Sequence, residues 1–218
     1  MLARICIADG GASALVGCKE LVMHTGTFSR KLFPAGILAM AVLLAAPALC
    51  QGTLYDNGPD GDIGYYHVNF GAAVANSFVL SQPASISGVT LTLYSVDDGN
   101  HPARVKWTIT TEPFGGEIKG RGFENLSELQ GPYLTKFLFF AWKVGVAIPN
   151  LNLPAGTYYF QIQDVVTEWD SWAFWAQSSG GNSQGFYQAI GENGAGTVSL
   201  VPSETFSVMG EWLPERAR

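Results

Sequence analysis

The chain has 218 residues, 14% of them charged and 12% aromatic, with a formal net charge of −6. That balance excludes a disordered chain and fits one globular domain with an appendage. It also argues against nucleic acid as a partner, because an acidic domain gains nothing from phosphate neutralisation.

The appendage comes first. From Met23 the chain runs MHTGTFSRKLFPAGILAMAVLLAAPALCQG: a polar start, the basic pair Arg30 and Lys31, an apolar run from Leu32 to Ala46, then small residues. This order predicts a secretory signal peptide over residues 23–50, cut ahead of Gln51. The apolar run is shorter than the ~20 residues a membrane span needs, so a signal is expected rather than an anchor. The bulky Leu49 also argues against a lipoprotein built on Cys50. Residues 1–22 do not suit the start of a signal peptide, and Met23 is the better initiator, so this stretch is expected to be an extended gene start, with a long n-region the alternative. All three cysteines, Cys6, Cys18 and Cys50, precede the cut, so the exported part is expected to carry no disulfide and no thiol chemistry. A domain of ~150 residues buries about 68–70% of its unfolded surface and needs no such staple. The leader holds Arg4, Lys19, Arg30 and Lys31 against Asp9 and Glu20, so its removal takes the net charge from −6 to −8.

Beyond the cut lies LYDNGPDGDIGYY, residues 54–66, with three aspartates and an asparagine in seven positions. Asp56, Asn57, Asp60 and Asp62 supply hard oxygen ligands that suit Ca²⁺. Pro59 interrupts the ligand run, however, and no glutamate stands where a calcium loop needs its bidentate ligand. Asn-Gly-Pro and Asp-Gly are also turn formers in their own right. A turn opening the first strand is therefore the expectation, with Ca²⁺ at these four residues the alternative and no other cofactor expected.

The rest alternates like strands. Candidates are Tyr65 to Phe70, Ser77 to Ser81, then SGVTLTLYSV with Val89, Leu91 and Leu93 on one face, and ARVKWTIT with Val105, Trp107 and Ile109. Thr135 to Trp142 follows, then GTYYFQIQ with Tyr158, Phe160 and Ile162 opposite Tyr159, Gln161 and Gln163, then Ala173 to Gln177 and Thr205 to Met209. Turns are marked by DDGNHP at 97–102, PFGG at 113–116, PNLNLPAG at 149–156 and SSGGNSQG at 178–185. No long helical period occurs after the leader. The pattern predicts an all-β, antiparallel sandwich of jelly-roll type over residues 51–210, with a short tail at 211–218.

The ordered motifs YDNGP, NSFVLSQPASISGVTLTLY, VKWTIT, LPAGTYYFQIQD and VPSETFSVMG span Leu54 to Gly210. Together they resemble a bacterial family of exported proteins that carry a PEP-CTERM sorting tail. The resemblance implies an address at the cell surface or in an exopolysaccharide system, with exosortase processing, and it implies no reaction. The chain departs from that pattern by stopping at EWLPERAR, without the apolar span and basic cluster of such a tail. Release without an anchor is the expectation.

Chemistry-bearing residues are few. In EWDSWAFWAQSSGG, Trp169, Trp172 and Trp175 with Gln177 offer indole faces and an amide, which suit a sugar ring. Residues three apart on a strand point to opposite faces, so some of these rings are expected in the core, as is Trp107. GNSQG at 181–185 has the spacing of a hydrolase elbow around Ser183, but an all-β chain lacks the strand-to-helix turn that motif needs. His67 and His101 alone remain after cleavage, too few for a metal triad. Carboxylate pairs such as Glu112 with Glu117 or Glu168 with Asp170 are what a glycosidase would use. The Asn-Leu-Ser sequon at 125–127 carries no weight behind a bacterial leader. The expectation is an exported, non-catalytic binding or structural protein associated with a polysaccharide or cell-surface matrix. The alternative is a glycan-active hydrolase using loop carboxylates.

Overall fold

A computed structural model describes residues 52–189 and 196–214. The expected extended start at 1–22, the signal peptide at 23–50, the three cysteines and residues 215–218 lie outside the described residues. Twelve strands follow in order: β1 (Gly52–Asp56), β2 (Asp60–His67), β3 (Ala72–Leu80), β4 (Ala84–Ser95), β5 (Pro102–Glu112), β6 (Gly115–Leu134), β7 (Phe140–Leu153), β8 (Gly156–Thr167), β9 (Ala173–Ser178), β10 (Gly185–Ala189), β11 (Thr197–Val201) and β12 (Phe206–Trp212). Every pairing is antiparallel, and the all-β antiparallel class read from the sequence is what the structure shows.

The path runs β1-β12-β4-β7-β6-β5-β8-β3-β10-β11, with β2 added through β9 to the end of β4. Its two halves are continuous through β6. The first part of that strand pairs with β5 as far as Asn125, and the part from Leu126 pairs with β7. The sheet therefore curls until its two halves close on one core. Val89, Leu91, Val144, Phe206 and Val208 come from one half; Val74, Phe78, Val105, Ile109, Phe160 and Ile162 come from the other. Phe160, Trp175 and Phe206 tie the halves together, with ring centroids 5.9 to 6.2 Å apart. Each such buried aromatic contributes about 1.5–3 kcal/mol through area removed from water.

Local sequence explains the close contacts. Trp107 sits opposite Gly122 in the β5/β6 ladder, and a side chain at Gly122 would stand 2.7 Å from the indole nitrogen. Gly120 is similarly placed, 3.3 Å from the same ring. The two glycines let the indole lie flat beneath β6, burying Trp107 as expected.

A second, smaller cluster lies apart from the main core. Tyr94, Ala141, Phe174 and Ala176 are buried there beneath Tyr65, Val96, Phe137 and Phe139. Phe139 stacks on Phe174 at 4.9 Å, and Tyr65 meets both rings edge-on. The β6–β7 connection thus covers β9, which leaves β9 apolar on both faces.

Several boundaries differ from the sequence reading. The strand expected over 135–142 begins at Phe140, the PNLNL stretch continues β7 to Leu153, and β12 runs on to Trp212. The strand expected over 65–70 ends at His67, and residues 68–71 form a loop. Strands β1, β6, β10 and β11 were not anticipated. For β6 the reason is physical: all its twenty residues are exposed or half-buried, so no clean apolar face marks it.

Candidate functional site

Three loops meet at one end of the molecule: residues 68–71 after β2, residues 96–101 after β4, and residues 168–172 after β8. Two buried asparagines fasten them together. Asn69 donates through Nδ2 to the Ser171 carbonyl at 2.8 Å and accepts the Ala173 N–H at 3.3 Å. Asn100 accepts the Trp169 N–H at 2.9 Å and donates to the Ser171 hydroxyl. Thr167 closes the turn by accepting the Ser171 N–H through its hydroxyl oxygen at 2.8 Å. Short polar side chains that bond loop backbone at long range hold these loops in one arrangement.

What the loops present is aromatic. Trp169 is 61% exposed, Phe70 55% and Trp172 45%. The Trp172 ring meets Phe70 edge-on at 4.9 Å and rests on His67 at 4.6 Å, which in turn packs on Phe174 at 4.5 Å. Partial burial pushes the His67 imidazole below its usual value, so it supports the indole as a neutral ring at neutral pH. Phe70 holds a left-handed backbone with φ 52°, uncommon for a bulky residue, and Asp170 does the same with φ 53°. Phe70 and Trp172 thus make one exposed aromatic contact, and Trp169 is exposed on the same loop as Trp172; these three rings are termed the ledge.

Trp175 is corrected out of this surface. It is fully buried, its indole N–H donates to the Thr205 carbonyl at 2.8 Å, and it belongs to the core. Gln177 lies five residues beyond Trp172, toward the far end of β9, about 17 Å away at the strand rise. It is therefore not grouped with the ledge.

The aspartate loop sits at the opposite end of the β2/β9 pair, where Asp60 faces Ser178 while His67 faces Phe174. It forms turns closed by aspartate side chains: Asp56 accepts the Gly58 N–H at 3.1 Å and Asp60 the Asp62 N–H at 2.9 Å. Further protein donors reach all three carboxylates, while Asp62 Oδ1 is buried without a hydrogen-bond partner among the described residues. Asp56 accepts the Ser207 hydroxyl at 3.0 Å, and Asp60 accepts the Tyr94 and Tyr133 hydroxyls, each at 2.7 Å. Asp62 accepts the Lys136 N–H at 2.9 Å. Burial, then the hydrogen bond to Asp60 and the nearby carboxylates, push both phenols well above their ordinary value. Among the described residues no three carboxylate, histidine or cysteine side chains gather in a metal-binding cluster. A cleft of about 450 Å³ opens here between Asp56, Asp60, Thr92, Gln130, Tyr133 and Lys143. Its lining holds no tryptophan.

Asn57 takes a different part. It is buried and donates to the Glu204 carbonyl, while its side-chain oxygen accepts the Ser183 N–H at 3.0 Å and the Tyr55 hydroxyl at 3.2 Å. Asn76 donates to Glu204 Oε2 at 2.6 Å, accepts the Glu204 N–H at 3.1 Å and accepts the Ser183 hydroxyl at 3.2 Å. Motifs far apart in sequence thus converge on one buried polar cluster, which absorbs Ser183. Glu204 is fully buried and its Oε1 has no hydrogen-bond partner among the described residues. Desolvation pushes its carboxyl up to about 8, against the opposing hydrogen bond from Asn76.

The other carboxylates are dispersed. Glu117 pairs with Lys119 at 2.6 Å, Glu168 with His101 at 3.5 Å, and Glu112 is exposed at the end of β5. Phe70, Asn69 and Asn100 belong to the ledge although sequence reasoning passed over them; only the turn character of NFG and DDGNHP hinted at loops there. No family model matches the chain, and no curated protein matches it significantly.

Proposed function

We propose that this protein is exported and works without catalysis at or beyond the cell surface, binding a polysaccharide through the ledge formed by Phe70, Trp169 and Trp172. The observation that carries the reading is the pair of exposed indoles held on loops that buried Asn69 and Asn100 fix in place. Large apolar rings cost free energy in water, and a rigid pair of them suits a ligand with an apolar face and a polar rim. The resemblance to exported sorting-tail proteins supports the address, and the sandwich layout expected from the strand pattern supports a site on end loops.

The test is retention of the exported chain on a panel of insoluble polysaccharides, in Ca²⁺ and in EDTA. Retention on at least one glycan, lost in Trp169→Ala/Trp172→Ala and equal in both buffers, is the expected result. EDTA-sensitive retention that survives the double substitution would move the site to the aspartate loop. Release of reducing ends would replace binding by hydrolysis.

A further inference from the structure

We infer that the polysaccharide fitting this ledge carries protonated primary amines: a partly or wholly N-deacetylated hexosamine polymer. The inference rests on the ledge being a glycan surface and adds the chemistry that selects the glycan.

The charges around the rings, one histidine aside, have one sign. Glu168 and Asp170 flank Trp169, and Asp97 and Asp98 lie on the facing loop; all four side chains are exposed. The two loops touch: a side chain at Gly99, next to Asp98, would stand 3.9 Å from the Trp169 ring. No lysine or arginine occurs in residues 68–71, 96–101 or 168–172. The one basic group is His101, which shares Glu168 at 3.5 Å. The nearest cations along β5 are engaged elsewhere, Arg104 over the Phe123 ring at 4.0 Å and Lys106 with Asp164 at 3.4 Å.

This frame discriminates among sugars. A polyuronate would bring like charge against four carboxylates. A neutral glucan would stack on the indoles and offer the carboxylates only uncharged hydroxyl donors. An ammonium-bearing sugar satisfies both features, giving charge-assisted hydrogen bonds to the carboxylates and cation–π contact with the indole faces. Neither indole is occupied by a cation of the protein, since the described cation–π contacts involve Phe123 and Phe137. A repeating polymer multiplies a modest gain per residue.

The test is co-sedimentation of the exported chain with an insoluble glucosamine polymer, the same polymer after full N-acetylation, a glucose polymer and a polyuronate gel, at mildly acidic pH. Because an acidic protein adheres weakly to any polycation, two charge-matched variants are compared: Asp97→Asn/Asp98→Asn/Asp170→Asn at the ledge, and Glu112→Gln/Glu117→Gln/Glu128→Gln away from it. Both sets are exposed, and unchanged thermal midpoints establish folding. Expected are retention on the amine form at least tenfold above the acetylated form, loss of that preference in the ledge variant, and its survival in the distant variant. Equal retention on the amine, acetylated and glucose polymers overturns the amine inference and leaves the ledge reading standing. Equal losses in both variants, or tighter binding to the polyuronate, also overturn it. No retention on any polymer overturns both readings.

Discussion

The two ends of the β2/β9 pair use similar residues in opposite ways. At the Asp60 end, Asp56, Asn57, Asp60, Asp62 and Glu204 face hydroxyls, amides and backbone groups of the protein itself. At the His67 end, Asn69 and Asn100 are buried beneath the surface and push Trp169, Trp172 and Phe70 outward. Polar density in sequence thus marks internal bonding at one end and loop anchoring at the other. Asp60, served by three protein donors, fastens the fold, whereas Trp169 and Trp172 stand in water on loops that buried asparagines hold.

The two settings differ most at the tryptophans. Trp175→Ala opens a cavity beside Phe160 and Phe206 and should cost about 3–5 kcal/mol in urea unfolding. Trp169→Ala, at an exposed site, should stay within about 0.5 kcal/mol while weakening glycan retention. Equal destabilisation by the two would dissolve the division between core and ledge.

Next in size is Glu204. Its folded carboxyl sits at about 8, above the ordinary glutamate range. A group whose folded pKa is raised contributes stability that is fully present below its unfolded pKa of about 4.3, and that stability is lost as pH rises through the folded value. Between about pH 4.3 and pH 8 the loss should approach about 1.4 kcal/mol per pH unit. Glu204→Gln keeps the shape and removes the titration. The variant should therefore gain on the parent as pH rises through that window, read from paired urea midpoints. Parallel pH profiles for the two would contradict the buried, proton-holding carboxyl.

Smaller again is Asn100→Ala. It strands the Trp169 N–H and should cost about 1–3 kcal/mol. Glycan retention should fall although no ring is removed. Asn57→Ala at the other end should cost a similar amount and leave retention per folded molecule unchanged. Retention indifferent to Asn100 would show that the ledge needs no fixed loops.

Much of the scaffold was legible because alternation reports a sheet with one dry face. Val89, Leu91 and Leu93, or Tyr158, Phe160 and Ile162, follow directly from period two. Strand β6 was not legible, since each of its two parts pairs with one neighbour and the whole strand is exposed or half-buried. The ledge was half legible. Three tryptophans announced an aromatic segment, but Trp172 precedes β9, so strand alternation says nothing about where it points. Ala173, Phe174 and Trp175 are all buried because both faces of β9 are covered, which erases the period. Asn69 and Asn100 meet the 168–172 loop only after folding, and no local spacing reveals a contact across 69 or 102 residues.

The most direct measurement follows the indole N–H resonances of Trp107, Trp142, Trp169, Trp172 and Trp175 while a soluble glucosamine oligosaccharide is added. Progressive shifts are expected at Trp169 and Trp172, with Trp107, Trp142 and Trp175 unmoved. Shifts confined to the buried indoles, or binding that leaves Trp169 and Trp172 untouched, would contradict the ledge as the glycan site.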